Sequence, residues 1–94
     1  REAGALVEDT VPPGPVRHLR DTISRGQLVL RWPAVADPIG LRGYRVSAPG
    51  IPPMVVRATT ARLPLARVRG QLLSVAAVDG AGNVGPAAGR RVPR

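Results

Sequence analysis

The side chains able to carry out acid–base, nucleophilic or metal chemistry are few, and they are scattered along this sequence. His18 is the only histidine, and cysteine is absent. The serines Ser24, Ser47 and Ser74 lie outside any nucleophile-elbow motif and have no base paired with them in the sequence. A zinc site needs several His or Cys ligands, so we interpret His18 as a half-exposed residue of the first strand. These residue types predict no metal site and no nucleophilic catalysis.

Two aspartates and one glycine-rich stretch are the remaining candidates for chemistry. Asp37 and Asp79 fall in predicted loops, where a calcium site would need more converging oxygen ligands than the local spacing supplies. Local hydrogen bonding that forms a turn is the simpler interpretation of both residues. Gly80-Ala-Gly82 follows a predicted strand. A phosphate-binding loop must also lead into a helix, and no helix is predicted after this segment. We therefore expect a chain that is not an enzyme and binds no cofactor.

Arginine is the one charged residue abundant enough to suggest a function. All 14 basic residues are Arg, against six acidic residues, and the formal net charge is +8 over 94 residues. The planar guanidinium suits carboxylate and phosphate, so a basic stripe could bind a polyanion. The composition of a GC-rich bacterial genome explains the same excess without any function. Both interpretations stay open at this point.

Aromatic residues are scarce, which limits both the core and the partners. Trp32 and Tyr44 are the only two, and the pattern around each predicts burial. No aromatic side chain is then left to stack on bases, which disfavours nucleic acid relative to acidic polysaccharide or cell-wall polymer. No apolar run is long enough to span a membrane and no signal peptide is visible, so we expect no membrane insertion. Because the chain opens with Arg1, we expect a piece of a longer protein.

Short alternating segments dominate the chain from residue 16 onward. Leu28, Leu30 and Trp32 share one side of an extended segment, with Val29 and Arg31 on the other. Turn residues recur at roughly ten-residue spacing, which is typical of an all-β sandwich. The predicted strands cover residues 16–24, 27–32, 41–48, 54–60, 61–65, 71–78 and 87–93. We expect residues 1–14 to form a proline-rich lead-in and residues 15–94 to form one domain.

Several segments together resemble a fibronectin type III domain of the bacterial extracellular kind. They are Pro12-Pro13-Gly-Pro-Val16 for the start of strand A, Leu28-x-Leu30-x-Trp32 for strand B, Gly43-Tyr44-Arg45-Val46 for strand C, Leu65 before the E–F corner, and Leu73-x-Val75-x-Ala77-Val78-Asp79 with Ala81-Gly82-Asn83 for strand F and the F–G loop. The resemblance covers residues 12–94 and implies a seven-stranded immunoglobulin-like β-sandwich with fibronectin type III topology.

The resemblance also implies a set of core residues, and the sequence departs from the family at one position. The tyrosine-corner position of the family is Gln71 here, whose amide can reach a backbone group but cannot bury a ring, so we expect a looser corner. The residues expected to meet between the two sheets are Leu28, Leu30, Trp32, Tyr44, Val46, Leu65, Leu73, Val75 and Ala77.

Two functions follow from the resemblance and the charge. The first is a non-catalytic, monomeric spacer or a protein- or polysaccharide-interaction module, joined to neighbouring domains of a larger, secreted or surface-attached bacterial protein. The alternative is a specific polyanion-binding domain for acidic polysaccharide or cell-wall polymer. Its expected contacts lie on the outward face of one sheet, and they are Arg45, Arg57, Arg90 and Arg91. The arginines expected on or near the other sheet are Arg17, Arg20, Arg31 and Arg62.

Overall fold

The computed structural model describes residues 11–37 and 40–94. Along these residues the elements are β1 (Arg20–Ser24), β2 (Gln27–Arg31), β3 (Leu41–Ala48), β4 (Ile51–Val56), β5 (Thr60–Pro64), α1 (Leu65–Val68), β6 (Leu72–Asp79) and β7 (Ala88–Arg91). The strands form two antiparallel sheets, one in the order β1-β2-β5 and the other in the order β4-β3-β6-β7. The prediction of an all-β chain with seven short strands is confirmed.

The lead-in joins the sandwich before the first strand begins. Pro13 and Val16 are buried, and Val16 N donates to the carbonyl of Pro86 at 3.3 Å. Gly85 lies against the backbone of residues 13 and 14, where an added Cβ would collide with the carbonyl oxygen of Pro13. Residues 1–10 of the predicted lead-in lie outside the described residues. In the part that is described, no helix is long and apolar enough to cross a membrane.

A two-residue turn sets the register of the first hairpin. Ser24 pairs with Gln27, so Arg25 and Gly26 alone connect β1 to β2. Both have positive φ, 52° and 78°, as a type I′ turn requires, and this turn matches the twist of the flanking strands. This turn fixes every other pair of the hairpin, because each residue of β1 pairs with the residue of β2 that lies the same number of positions from the turn.

The fourth strand begins earlier than the sequence indicates. Pro52 and Pro53 were expected in a loop before a strand over 54–60, but β4 already includes them, and Thr60 opens β5 instead. An edge strand tolerates proline, since its N–H side can face solvent without losing a ladder hydrogen bond. β4 pairs only with β3, and the turn between them contains just Pro49 and Gly50.

The core lies between the two sheets and is built on an aromatic pair. Trp32 and Tyr44 meet edge to face, with ring centroids 5.3 Å apart, and the Tyr44 hydroxyl accepts a hydrogen bond from Val35 N at 2.9 Å. The Trp32 indole Nε1 is buried and has no hydrogen-bond partner among the described residues, so this ring contributes through packing. The buried cluster contains all nine expected core residues together with Val16, Leu19, Ala61, Leu63, Val68 and Val92.

Val29 is an exception to the simple alternation. It was expected to point outward, and it does lie outside the interior cluster, yet only 5% of its surface is exposed. Val29 sits in the central strand of the three-stranded sheet, directly between its Cα partners Thr22 and Arg62. The neighbouring side chains on this outer face cover it, which a single-strand pattern does not reveal.

Removing the indole should cost more stability than any other single truncation in this core. We expect Trp32→Ala to lower the free energy of unfolding by about 3–5 kcal/mol, out of a total of about 5–15 kcal/mol for a domain of this kind. Trp32→Phe keeps a ring against Tyr44 and removes the unpartnered donor, so its cost should be clearly smaller. Thermal and urea unfolding measure both.

Val55→Ala is the matched control, because Val55 is 54% exposed and should change stability little. A Trp32→Ala protein that melts at the wild-type temperature would contradict the assignment of the core.

At the corner that was expected to be loose, the Gln71 side-chain amide makes two hydrogen bonds to backbone groups. Gln71 Nε2 donates to the carbonyl of Arg67 at 2.8 Å, and Gln71 Oε1 accepts from Gly50 N at 2.6 Å. A Cβ on Gly50 would collide with the Arg67 carbonyl and with the Gln71 amide. The glutamine thus joins the β3–β4 turn to α1 through backbone groups, without the ring that the family places there.

We expect Gly50→Ala to destabilise the protein by about 1–3 kcal/mol, since the added methyl must push the turn off α1. The control is Gly80→Ala, where an added Cβ meets open space. Chemical denaturation of both variants should show a loss for Gly50→Ala alone. Equal midpoints for the two variants would mean that the turn moves freely away from Gln71.

Candidate functional site

Asp79 is the buried carboxylate of the structure and organises the β6–β7 connection. Its side chain is fully buried, and Oδ1 accepts from Asn83 N at 2.8 Å and from Ala81 N at 3.0 Å. Asn83 Nδ2 donates to Oδ2 at 3.1 Å, and the Gly82 N–H donates to the Asp79 carbonyl. The aspartate therefore does the turn-forming chemistry that the sequence indicates.

The protonation of Asp79 follows from these contacts. Burial raises the pKa of its carboxyl, but the side-chain hydrogen bond from Asn83 and the backbone hydrogen bonds of Asn83, Ala81 and Gly82 outweigh burial, and the pKa lies below its ordinary value. Each bond favours the charged form, because N–H donors bind a carboxylate more strongly than they bind the neutral acid. Asp79 is thus a permanent anion at neutral pH and a poor general acid or base.

A lowered pKa makes the stability depend on pH in one direction. The stabilisation is complete above the unfolded pKa of about 3.9 and is lost as the pH falls through the lower folded pKa. Asp79→Asn should therefore be less stable than wild type at pH 7, and this difference should shrink below about pH 4.

Melting temperatures measured from pH 7 to pH 2 test this dependence, and an NMR titration of the carboxyl carbon tests the pKa directly. Asn83→Ala, which removes one donor, should move that pKa back toward its ordinary value. A constant difference between wild type and Asp79→Asn over the whole range would contradict the assigned role of the carboxylate.

The remaining titratable candidates do not gather into a reactive group. His18 is exposed and precedes β1, with a φ of 54°, whereas Asp79 ends β6. Over residues 11–37 and 40–94, no three His, Cys, Asp or Glu side chains are placed to hold a metal ion. Asp37, predicted to form a turn, lies in the loop after Trp32, and the two residues that follow it lie outside the described residues.

Two arginines of the predicted face, Arg45 and Arg57, lie within β3 and just after β4. Arg45 is exposed in the middle of β3, between its Cα partners Val55 and Ala76. Arg57 follows the end of β4 and, with Arg42, lines a shallow depression of about 370 Å³. Both side chains are exposed.

Arg90 and Arg91 are placed differently from these two. Arg90 pairs with the fully buried Leu73, so its side chain leaves β7 on the inner side, where Nε contacts Asp21 Oδ1 of β1 at 2.8 Å. Arg91 pairs with Leu72, and its Nη1 donates to the carbonyl of Gly70 at 3.0 Å. The structure therefore does not bring the four predicted arginines together in one stripe.

A second group of arginines lies on the outer face of the three-stranded sheet. Arg20 and Arg31 are Cα partners, and Arg62 lies one row further along, beside Val29. Next to the first pair is a cleft of about 590 Å³, lined by His18, Arg20, Arg31, Trp32, Pro33, Thr59 and Thr60. The hairpin turn was the signal for this pairing, because Arg20 and Arg31 are equally distant from it.

Comparison with known proteins identifies a fold. No family model matches the sequence, and no curated protein matches it. Among solved structures, the chain is similar to part of the Clostridium perfringens spore cortex lytic enzyme SleM, with a TM-score of 0.73 and 21% sequence identity. The match covers 89% of this chain and 29% of the SleM chain. At this identity the similarity shows the fold alone.

Proposed function

We propose that this chain is a fibronectin type III module without catalytic activity, acting as a spacer or interaction module within a larger bacterial protein. The observation that carries the proposal is the sheet order, β1-β2-β5 against β4-β3-β6-β7. In the letters of the family, these sheets hold strands A, B, E and strands C′, C, F, G. An immunoglobulin constant-type sandwich places its fourth strand, D, beside E, whereas β4 pairs here with β3.

The distribution of polar groups supports a module without chemistry of its own. The buried carboxylate of Asp79 accepts the hydrogen bonds of its own loop, and His18 is exposed. General acid–base catalysis needs donor and acceptor groups that converge on one reacting atom. We accordingly propose no catalytic residue for this chain.

The proposed context is a secreted or surface-attached protein that acts at the cell wall. One structural neighbour is a spore cortex lytic enzyme, and the match covers 29% of that chain. A β-sandwich of this size suits a monomeric unit that holds neighbouring domains apart or presents them to a polymer. Its partners would then be those domains and, through its surface, an acidic polysaccharide or cell-wall polymer.

The coding sequence on both sides of this chain tests the context. We expect an export signal upstream and at least one further domain in the same reading frame. A reading frame that encodes this chain alone, with no export signal, would contradict the proposal.

Domain replacement in the full-length protein then separates the module role from catalysis. Residues 15–94 are exchanged for an unrelated β-sandwich of similar length, and turnover of a small soluble substrate is measured. We expect unchanged turnover of the soluble substrate. If the chain is a spacer, the exchanged protein should still be retained on insoluble wall material, and if it is an interaction module, that retention should be lost. Loss of turnover on the soluble substrate would assign this chain a part in catalysis and overturn the proposal.

A further inference from the structure

A row of cations crosses the outer face of the three-stranded sheet near the start of β1. Arg20 is the Cα partner of Arg31, and Arg31 is also the partner of Thr60 in β5. Directly paired residues project from the same side of a sheet. Leu30, the neighbour of Arg31, is fully buried toward the core, so both guanidinium groups leave the opposite side.

These two arginines have no anionic partner among the described residues. The neighbouring acid, Asp21, pairs with Leu30, faces the other side of β1 and binds Arg90 instead. Like charges directly opposite each other destabilise a sheet unless a counter-charge lies between them. A bound anion would supply that counter-charge, and Arg62, two residues further along β5 than Thr60, extends the positive field.

The cleft beside this row is large enough for more than a single ion. Its volume of about 590 Å³ lies within the range of about 300–1,000 Å³ typical of small-molecule sites. Pro33 is the exposed apolar residue of its lining, whereas His18 and the two threonines carry polar groups. The site therefore combines charge, hydrogen-bonding groups and an apolar surface.

The Thr60 hydroxyl indicates which class of anion fits the cleft. Guanidinium groups are donors only, and they match the paired oxygens of a carboxylate or a phosphate. Thr60 Oγ1 donates its proton to the Leu30 carbonyl at 2.9 Å, which leaves its lone pairs to accept a hydrogen bond. A carboxylate or a phosphodiester group alone has no proton to donate to that acceptor, whereas a sugar hydroxyl next to the anionic group has one.

Nucleic acid fits this surface less well. The two aromatic residues of the chain, Trp32 and Tyr44, are 4% and 3% exposed, so neither presents a free ring face on which a base could stack. We propose that the cleft lined by His18, Arg20, Arg31, Thr59 and Thr60 binds an acidic glycan that carries carboxylate or phosphate groups beside free hydroxyls. This deepens the interaction-module role and rests on it, since a plain spacer needs no ligand.

Calorimetric titration of the 94-residue chain tests the proposal. The probes are oligogalacturonate for carboxylate, a glycerol-phosphate oligomer for phosphate and neutral dextran, at about 150 mM NaCl to screen long-range attraction. We expect binding of at least one acidic oligomer and none of dextran. The better oligomer tells which anionic group the cleft prefers, and the absence of binding to both would overturn the proposal.

Two double variants locate the site. Arg20→Gln/Arg31→Gln should weaken binding at least about tenfold, because two charge-assisted contacts are lost. Arg45→Gln/Arg57→Gln lowers the net charge of +8 by the same two units on the other sheet and should change affinity about twofold at most. Equal losses in the two variants would show attraction by net charge alone and overturn the site.

Two further measurements separate binding from folding and test the ligand class. The melting temperature of Arg20→Gln/Arg31→Gln should equal or exceed that of wild type, since a like-charge pair has been removed. Thr60→Val should weaken glycan binding but not binding of dimethyl phosphate, an anion without a hydroxyl to donate to Thr60. Tighter, Arg20- and Arg31-dependent binding of single-stranded DNA would overturn the glycan assignment. A failure here leaves the module role standing, because that role is decided by the flanking coding sequence.

Discussion

The edge-to-face contact between Trp32 and Tyr44 is the interaction on which the rest of the sandwich depends. The chain has no other aromatic residue and no cysteine, so neither a second ring nor a disulfide could replace it. Trp32 follows β2 in one sheet and Tyr44 belongs to β3 in the other, and their rings meet 5.3 Å apart between the layers. Small aliphatic residues such as Val46, Val75 and Ala77 then fill the remaining space. Dense packing of this kind must carry most of the stability in so short a chain.

Side-chain hydrogen bonds to the backbone hold the connections at both ends of β6. At its start, Gln71 joins the β3–β4 turn to α1, and at its end the Asp79 carboxylate collects the N–H groups of its own loop. The two solutions share a physical principle, because each satisfies backbone groups that a tight connection would leave without partners. The Arg90–Asp21 pair adds a tie between the edge strands of the two sheets, although an exposed ion pair contributes only about 0–1 kcal/mol.

Strand pairing decides which of the many arginines lie close to one another. Arginines at 45, 57, 90 and 91 look equivalent along the chain, yet Arg90 turns inward to Asp21, whereas Arg45 stays in solvent. Arg20 and Arg31 come together because a two-residue turn makes them partners. Composition bias can set how many arginines a chain has, but the register decides which of them can act on one ligand.

Local alternation and turn chemistry predicted the class of fold and most strand positions, and the resemblance to fibronectin type III domains added the buried set around Trp32. These features depend on neighbouring residues, and a period of two places Leu28 and Leu30 on the core side whatever lies opposite. The start of β4 and the burial of Val29 depended on neighbouring strands, since an edge accepts Pro52 and flanking side chains cover Val29. The direction of Arg90 and the approach of Gly50 to Gln71 likewise join residues far apart in the chain. Such contacts were decided by the packing of the two sheets, because no local pattern encodes how distant segments meet.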